Sequence, residues 1–131
     1  MPGTEESGDG QRLLACRLVA MPVDANNSGD IFGGWLLSQA DLAGSILAVK
    51  LAAGRVATVA VENFNFMAPV RVGDLVSCYA LLDRIGTSSI RVQVDVDVDR
   101  MRMGRETVRV AEGFFTYVAL DGSGRPRPVM P

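Results

Sequence analysis

One long apolar segment, followed only by strand-like sequence, restricts what this chain can fold into. Residues 31–53 carry apolar side chains at helical spacing around most of the circumference, which predicts one long, largely covered helix. Asp30 or Ser28 is placed to cap its start, and Lys50 and Gly54 supply the signals of its end. Glycines, serines and one aspartate interrupt the apolar run. We therefore expect a buried helix rather than a membrane-spanning one.

The rest of the chain predicts strands. Residues 90–99 alternate valine or isoleucine with polar residues, the period of a strand with one buried face. Further strands are predicted at 12–20, 55–67, 75–84 and 106–120, and a hairpin loop is predicted at 101–105. Antiparallel neighbours joined by short turns would wrap the helix in an α+β architecture. Because one helix cannot cover both faces of a five-stranded sheet, we expect a second copy of the chain to complete the surface.

The chain has 131 residues, the size of one ordinary domain. We expect this domain at 12–121, between a disordered N-terminal tail at 1–11 and a Pro- and Gly-rich C-terminal tail at 122–131. The N-terminal tail lacks the apolar segment of a signal peptide, so we do not expect it to be one. Cys16 and Cys78 lack the number and spacing of a disulfide framework or zinc site, which predicts buried free thiols in a reducing cytoplasm.

The sequence contains no histidine. This excludes Ser-His-Asp and Cys-His nucleophiles, histidine-ligated metals and histidine-based proton shuttles. The formal charge of −2, without any basic run, argues against a nucleic-acid partner. We expect neither a metal nor a cofactor. Any chemistry must use carboxylates, amides, hydroxyls and backbone dipoles.

Asp41 is the single charged side chain in the stretch 31–49. An ionised carboxylate on a covered helix is costly unless it is paired, hydrogen-bonded or used in a reaction. Asp41 is therefore the candidate catalytic residue. The alternative is that it faces solvent on a narrow polar stripe with Ser38 and Ser45.

Gly33 and Gly34 lie at the predicted start of the helix. Backbone N–H groups there have no intrahelical acceptor and carry partial positive charge, so they could stabilise the oxyanion of acyl transfer. Alternatively, the pair only permits a tight junction between loop and helix. At a rise of about 1.5 Å per residue, the glycines lie roughly 10 to 12 Å from Asp41 along the axis. Two antiparallel helices in a homodimer would bring Asp41 of one chain to the glycines of the other.

Three runs of the sequence carry a family resemblance: MPVDANNSGDIFGGWLLSQADLAGSILA, GRVATVAVENFNFMAPVRVGDLVSCYA and GTSSIRVQVDVDV. Over residues from about 12 to 128 the chain resembles the YciA-type bacterial acyl-CoA thioesterases, relatives of the cytosolic acyl-CoA hydrolases of animals. The resemblance implies a hotdog fold, in which a five-stranded antiparallel sheet wraps one long central helix. It also implies an enzyme whose minimal unit is a homodimer, usually assembled further into tetramers or hexamers.

The same resemblance implies roles for individual residues. Asp41 would be the nucleophile or the general base toward water, and Asn26 would position substrate or water from the opposite subunit. Gly33 and Gly34 would supply the oxyanion donors. The implied reaction is hydrolysis of an acyl-CoA to a carboxylic acid and free coenzyme A, and a non-enzymatic acyl-CoA sensor is the alternative. Coenzyme A contacts are implied at Thr87, Ser88, Ser89 and Arg100.

Overall fold

The computed structural model describes residues 12–100 and 106–130, so the predicted tail at 1–11 and loop at 101–105 lie outside the described residues. Five strands and one α-helix occupy the described part of the chain. They are β1 (Leu13–Val19), α1 (Gly33–Ala52), β2 (Val56–Phe66), β3 (Leu75–Ile85), β4 (Ser89–Arg100) and β5 (Glu106–Ala119). The predicted α+β class is confirmed, and each predicted element lies within two residues of its observed bounds.

The five strands form one antiparallel sheet in the order β1-β3-β4-β5-β2. The expectation that successive strands are neighbours is wrong for β2 and β3, because β2 pairs with β5 at the far edge. The connection between β2 and β3 therefore does not form a hairpin. It pairs instead with the loop before the helix, where the backbone N–H of Ile31 donates to the carbonyl of Val70 at 2.8 Å. This places the start of α1 beside the end of β2.

The core lies between α1 and one face of the sheet. The predicted alternation in β4 is confirmed, since Ile90, Val92, Val94, Val96 and Val98 are all buried. The helix meets the sheet mainly through small residues, which allow a close approach: Ala40, Ala43, Gly44, Ala48 and Ala52. Within one chain the expected cover of the helix is incomplete, because its outer face leaves three large apolar side chains exposed: Leu42, Ile46 and Val49.

The start of α1 differs from its predicted form. Phe32 is the N-cap and no side chain caps the helix, so the proposed caps at Asp30 and Ser28 are wrong. The physical reason lies in the preceding loop, where the backbone N–H groups of both residues donate to the side chain of Asn26. The Asp30 carboxylate instead lies 3.8 Å from the guanidinium of Arg71.

The end of α1 is held by the C-terminal segment. Ala53, the residue before Gly54, takes the left-handed conformation that ends the helix. Arg127 donates from Nη2 to the carbonyl of Ala52 at 2.6 Å and so supplies a cationic cap. Val129 is buried, and its N–H donates to the carbonyl of Thr87. Residues 122–130 therefore pack along the domain.

Cys16 and Cys78 are free, as predicted, and face each other across β1 and β3. Cys78 is fully buried, but Cys16 is only half-buried because it lies on an edge strand. The contact with Cys16 and burial both raise the pKa of the Cys78 thiol. Among the described residues, no helix has the length and apolar character needed to cross a membrane.

Candidate active site

The carboxylate of Asp41 lies between the helix and two paired strands. Its Oδ1 accepts a hydrogen bond from the hydroxyl of Thr58 on β2 at 2.9 Å and from the hydroxyl of Tyr117 on β5 at 3.0 Å. Thr58 and Tyr117 are directly opposite each other in the register of β2 and β5. Asp41 is thus turned toward the sheet edge. The serines proposed to share a solvent-facing stripe with it, Ser38 and Ser45, donate back to helix carbonyls.

All the partners of this carboxylate are neutral. Within residues 12–100 and 106–130, no lysine or arginine forms an ion pair with Asp41, and its Oδ2 receives no hydrogen bond. Asp41 is half-buried and Thr58 is exposed in the single chain. A carboxylate that is held on one oxygen and open on the other can accept a proton or attack an electrophile.

Tyr117 is the most deeply buried member of this group, with 0% of its surface exposed. Its hydroxyl also lies 2.7 Å from the main-chain carbonyl of Asp41. Burial, and then the negative charge of Asp41, raise the pKa of Tyr117, so the phenol stays protonated and acts as a donor.

Asn26 lies in the turn-rich loop before the helix and is exposed. Its side-chain oxygen accepts from the backbone N–H groups of Ser28 at 2.8 Å and Asp30 at 3.1 Å. An amide whose oxygen is engaged in this way can offer only its NH₂ group to another molecule. The loop therefore presents Asn26 as a hydrogen-bond donor.

The N-terminus of α1 is open. Gly33 and Gly34 are both exposed, and no side-chain cap competes for their backbone N–H groups. A groove of about 420 Å³ runs beside this end of the helix, lined by Gly33, Leu36, Phe66, Met67 and Val70 among others. A side chain at position 33 would lie 3.2 Å from the Phe66 ring, whereas position 34 faces open space. Unpaired donors thus border a largely apolar groove, as an oxyanion site for an acyl group requires.

The structure does not bring all the predicted site residues together in one chain. Gly33 and Asp41 are eight positions apart on one straight helix, or roughly 12 Å. The two groups face different surroundings, since Asp41 points to β2 and β5 while Gly33 borders the groove. A single protomer therefore presents two half-sites.

The residues predicted to contact coenzyme A also lie far apart in the protomer. Thr87 and Ser88 lie in the turn before β4 and Ser89 begins that strand, whereas Arg100 ends it. Twelve residues of extended strand span roughly 36 Å. Arg100 is also engaged inside its own chain, where it donates to Asp74 at 3.2 Å and to the carbonyl of Pro69. One ligand cannot contact both ends of β4 within a protomer.

Two residues of the site, Thr58 and Tyr117, are absent from the sequence predictions. Their contacts with Asp41 join positions 17 and 76 residues apart. These contacts depend on the pairing of β2 with β5 and on its register. The alternation of residues within each strand predicts only the face of the sheet on which a side chain lies, so it could not predict the contacts. The nearest signal is Gly44 one turn after Asp41, because a glycine inside a helix often marks a close approach.

Comparisons with known proteins agree with this architecture. Residues 28–103 match the family model described as the thioesterase superfamily. The acyl-CoA thioester hydrolase YciA of Salmonella typhimurium is 48% identical over 121 residues, which cover 91% of this chain and 91% of the relative. The crystal structure of a hexameric thioesterase from Yersinia pestis shares 47% identity and a TM-score of 0.85, covering 88% of this chain and 94% of the other.

A more distant structure adds a bound ligand. It is an acyl-CoA hydrolase from Staphylococcus aureus in complex with butyryl coenzyme A, coenzyme A and coenzyme A disulfide. It is 29% identical, has a TM-score of 0.82, and covers 89% of this chain and 70% of that one. The matched family model and the identities near one half confirm the family resemblance: the chain belongs to the thioesterase superfamily and, within it, to the YciA-like hotdog thioesterases.

Proposed function

We propose that this protein is an acyl-CoA thioesterase that hydrolyses acyl-CoA to a carboxylic acid and free coenzyme A, with Asp41 as its catalytic carboxylate. The observation that carries the proposal is the state of Asp41, whose Oδ1 is held by two hydroxyls while its Oδ2 is open. The names of the relatives support the substrate class, since the Salmonella protein is an acyl-CoA thioester hydrolase. The butyryl coenzyme A bound to the Staphylococcus aureus enzyme supports it further.

In the proposed reaction, backbone N–H groups at Gly33 and Gly34 donate to the thioester carbonyl oxygen and stabilise its negative charge. Asp41 either removes a proton from an attacking water or attacks the carbonyl carbon itself. The second route gives a mixed anhydride that water then hydrolyses. In both routes the C–S bond breaks and the electron pair leaves on sulfur. Because a thiolate is a good leaving group, a site without histidine suffices.

The active unit is proposed to be a homodimer with two equivalent sites, because the two halves of the site are too far apart within one chain. Two surfaces are suited to this contact. Strand β2 lies at the sheet edge and exposes Val59 and Val61, and the outer face of α1 exposes Leu42 and Ile46. Burying such surfaces is a main driving force for association. The hexameric relative from Yersinia pestis supports a higher homo-oligomer built from such dimers.

Asn26 is proposed to act across the dimer as a donor. Since its side-chain oxygen is engaged by its own loop, its NH₂ group would hold the oxygen of the substrate or of the attacking water. Coenzyme A is proposed to meet the turn containing Thr87, Ser88 and Ser89. Arg100 could contribute only from another protomer, after giving up its contact with Asp74.

A thiol-release assay with acyl-CoAs of different chain lengths tests the activity. Release of one thiol per acid formed is the expected result. Saturable acyl-CoA binding with no thiol release would overturn the thioesterase proposal and identify a sensor module instead.

Site sharing has its own test. Asp41→Ala and Asn26→Ala chains are each expected to be nearly inactive, and co-refolding them should restore one complete site per heterodimer. The control is each variant refolded alone. If the mixed sample stays as inactive as the two parents, the sites are not shared between chains.

A further inference from the structure

Tyr117 reaches Asp41 from a strand that takes no part in the proposed chemistry. Its hydroxyl, carried by β5, lies 3.0 Å from Oδ1 and 2.7 Å from the main-chain carbonyl of the same residue. One tyrosine thus touches both the carboxylate and the backbone that carries it. The hydroxyl has a single hydrogen to share between these two acceptors.

The helix makes room for this contact at Gly44. A Cβ built there would overlap the Tyr117 hydroxyl and lie 3.1 Å from the ring carbons Cε2 and Cζ. No other residue type has so little volume, and glycine is unfavourable inside a helix by roughly 1 kcal/mol relative to alanine. A glycine here therefore costs helix stability, and the space it leaves is filled by the tyrosine hydroxyl.

The terminal torsion of an aspartate is broad, so an isolated carboxylate exchanges its two oxygens easily. Here Thr58 and Tyr117 both donate to Oδ1, from two neighbouring strands, and none of the described residues donates to Oδ2. We propose that Tyr117 is a positioning residue which, together with Thr58, fixes the rotation of the Asp41 carboxylate so that Oδ2 is the oxygen that reacts. This inference rests on the proposed function.

Tyr117 does not serve as a proton donor to the substrate. Its side chain is fully buried, and among the described residues its hydroxyl donates only to Asp41. The raised pKa of the phenol keeps it protonated over the pH range in which a carboxylate works, so its role as donor is maintained there. Thr58 approaches from the exposed edge strand, and Tyr117 closes the opposite, buried side.

The first test is Tyr117→Phe, assayed by thiol release over a range of acyl-CoA concentrations, so that kcat and KM are measured separately. Loss of one hydrogen bond to a charged group predicts a fall in kcat of about 10-fold or more with KM nearly unchanged. The matched control is Tyr79→Phe, the other tyrosine of the chain, whose hydroxyl lies near Arg17 on β1. A Tyr117→Phe enzyme indistinguishable from the control would overturn the proposal.

Gly44→Ala provides a second, independent variant. The added methyl group should push the hydroxyl away from Oδ1 and lower kcat by a similar factor, although alanine favours the helix. In a Tyr117→Phe background the same change should have a much smaller effect, because the displaced hydroxyl is already gone. Additive losses in the double variant would contradict the proposal.

Asp41→Asn separates this inference from the proposed function. Full activity in Asp41→Asn would refute the proposed catalytic carboxylate itself. An inactive Asp41→Asn together with an unaffected Tyr117→Phe would refute only the positioning role.

Discussion

Two carboxylates in this protein are held in opposite ways. Asp74, at the turn before β3, is only 3% exposed. It accepts from the backbone N–H of Arg71 at 2.9 Å and from Arg100 at 3.2 Å. Asp41 is half-buried and accepts only from the hydroxyls of Thr58 and Tyr117. One carboxylate has a cation beside it, and the other has neutral donors alone.

The difference shows what each environment allows. A guanidinium neutralises Asp74 and joins the end of β4 to the β2–β3 connection, so this carboxylate contributes to the fold and is not free to react. Hydroxyl donors hold Oδ1 of Asp41 without cancelling its charge, and none of the described residues donates to Oδ2. A carboxylate paired with a cation stabilises the fold. A carboxylate that accepts only from hydroxyls keeps its negative charge and can act as a base or a nucleophile.

The largest effect is expected from Asp41→Asn. Loss of the base or nucleophile should lower kcat by about 10³-fold in a thiol-release assay. The free energy of unfolding should change by less than about 0.5 kcal/mol, because asparagine keeps an oxygen that can accept from Thr58 and Tyr117. A large loss of stability in urea unfolding would mean that Asp41 is structural after all.

Asp74→Ala should show the reverse pattern. Removing one partner of a buried pair leaves Arg100 uncompensated, and we expect the free energy of unfolding to fall by about 3 kcal/mol. The turnover per folded molecule should stay within about two-fold of the wild type, a factor worth less than 1 kcal/mol. The control is Asp83→Ala, which removes an exposed partner of Arg91 and should cost less than about 1 kcal/mol. Equal destabilisation by both variants would contradict the comparison.

Arg100→Ala distinguishes a structural arginine from a ligand contact. We expect a loss of stability of about 2 kcal/mol, because Asp74 and the Pro69 carbonyl both lose a charged donor. Inhibition by free coenzyme A should be unchanged. If coenzyme A inhibition weakens about 10-fold while stability is retained, Arg100 is a coenzyme A ligand.

Arg127→Ala should have the smallest effect. Its guanidinium caps the C-terminus of α1 through the carbonyl of Ala52 and also donates to Leu120 and Pro128. Thermal unfolding should show a loss of about 1 kcal/mol with kcat unchanged. Lys50→Ala, in the same last turn of the helix, should cost less because Lys50 is exposed. A fall in kcat would connect this end of the helix to the site.

Local patterns predicted most of the fold. The alternation from Ile90 to Val98 and the helical periodicity after Asp30 depend on neighbours in sequence, so they could be read directly. The cap of α1 was mispredicted because Asn26 holds the backbone beside Ser28 and Asp30, a contact that depends on the three-dimensional path of the loop.

The candidate site was predictable only in part. Asp41 is visible in sequence as a charge among apolar residues. The two hydroxyls that donate to Asp41 cannot be predicted in this way, because they come from β2 and β5 and depend on the pairing of Thr58 with Tyr117. The edge position of β2 was missed for the same reason. Strand order follows from long-range packing, which no local period encodes.

The close approach of Gly44 to Tyr117 also limits how this protein can change over evolutionary time. Any larger residue at position 44 would meet the tyrosine hydroxyl before it met anything else. A lineage that enlarges position 44 must therefore first lose or move the aromatic hydroxyl, and with it one of the two donors to Asp41. Two positions 73 residues apart in sequence are consequently expected to change together, with the smaller partner constrained for as long as the tyrosine remains.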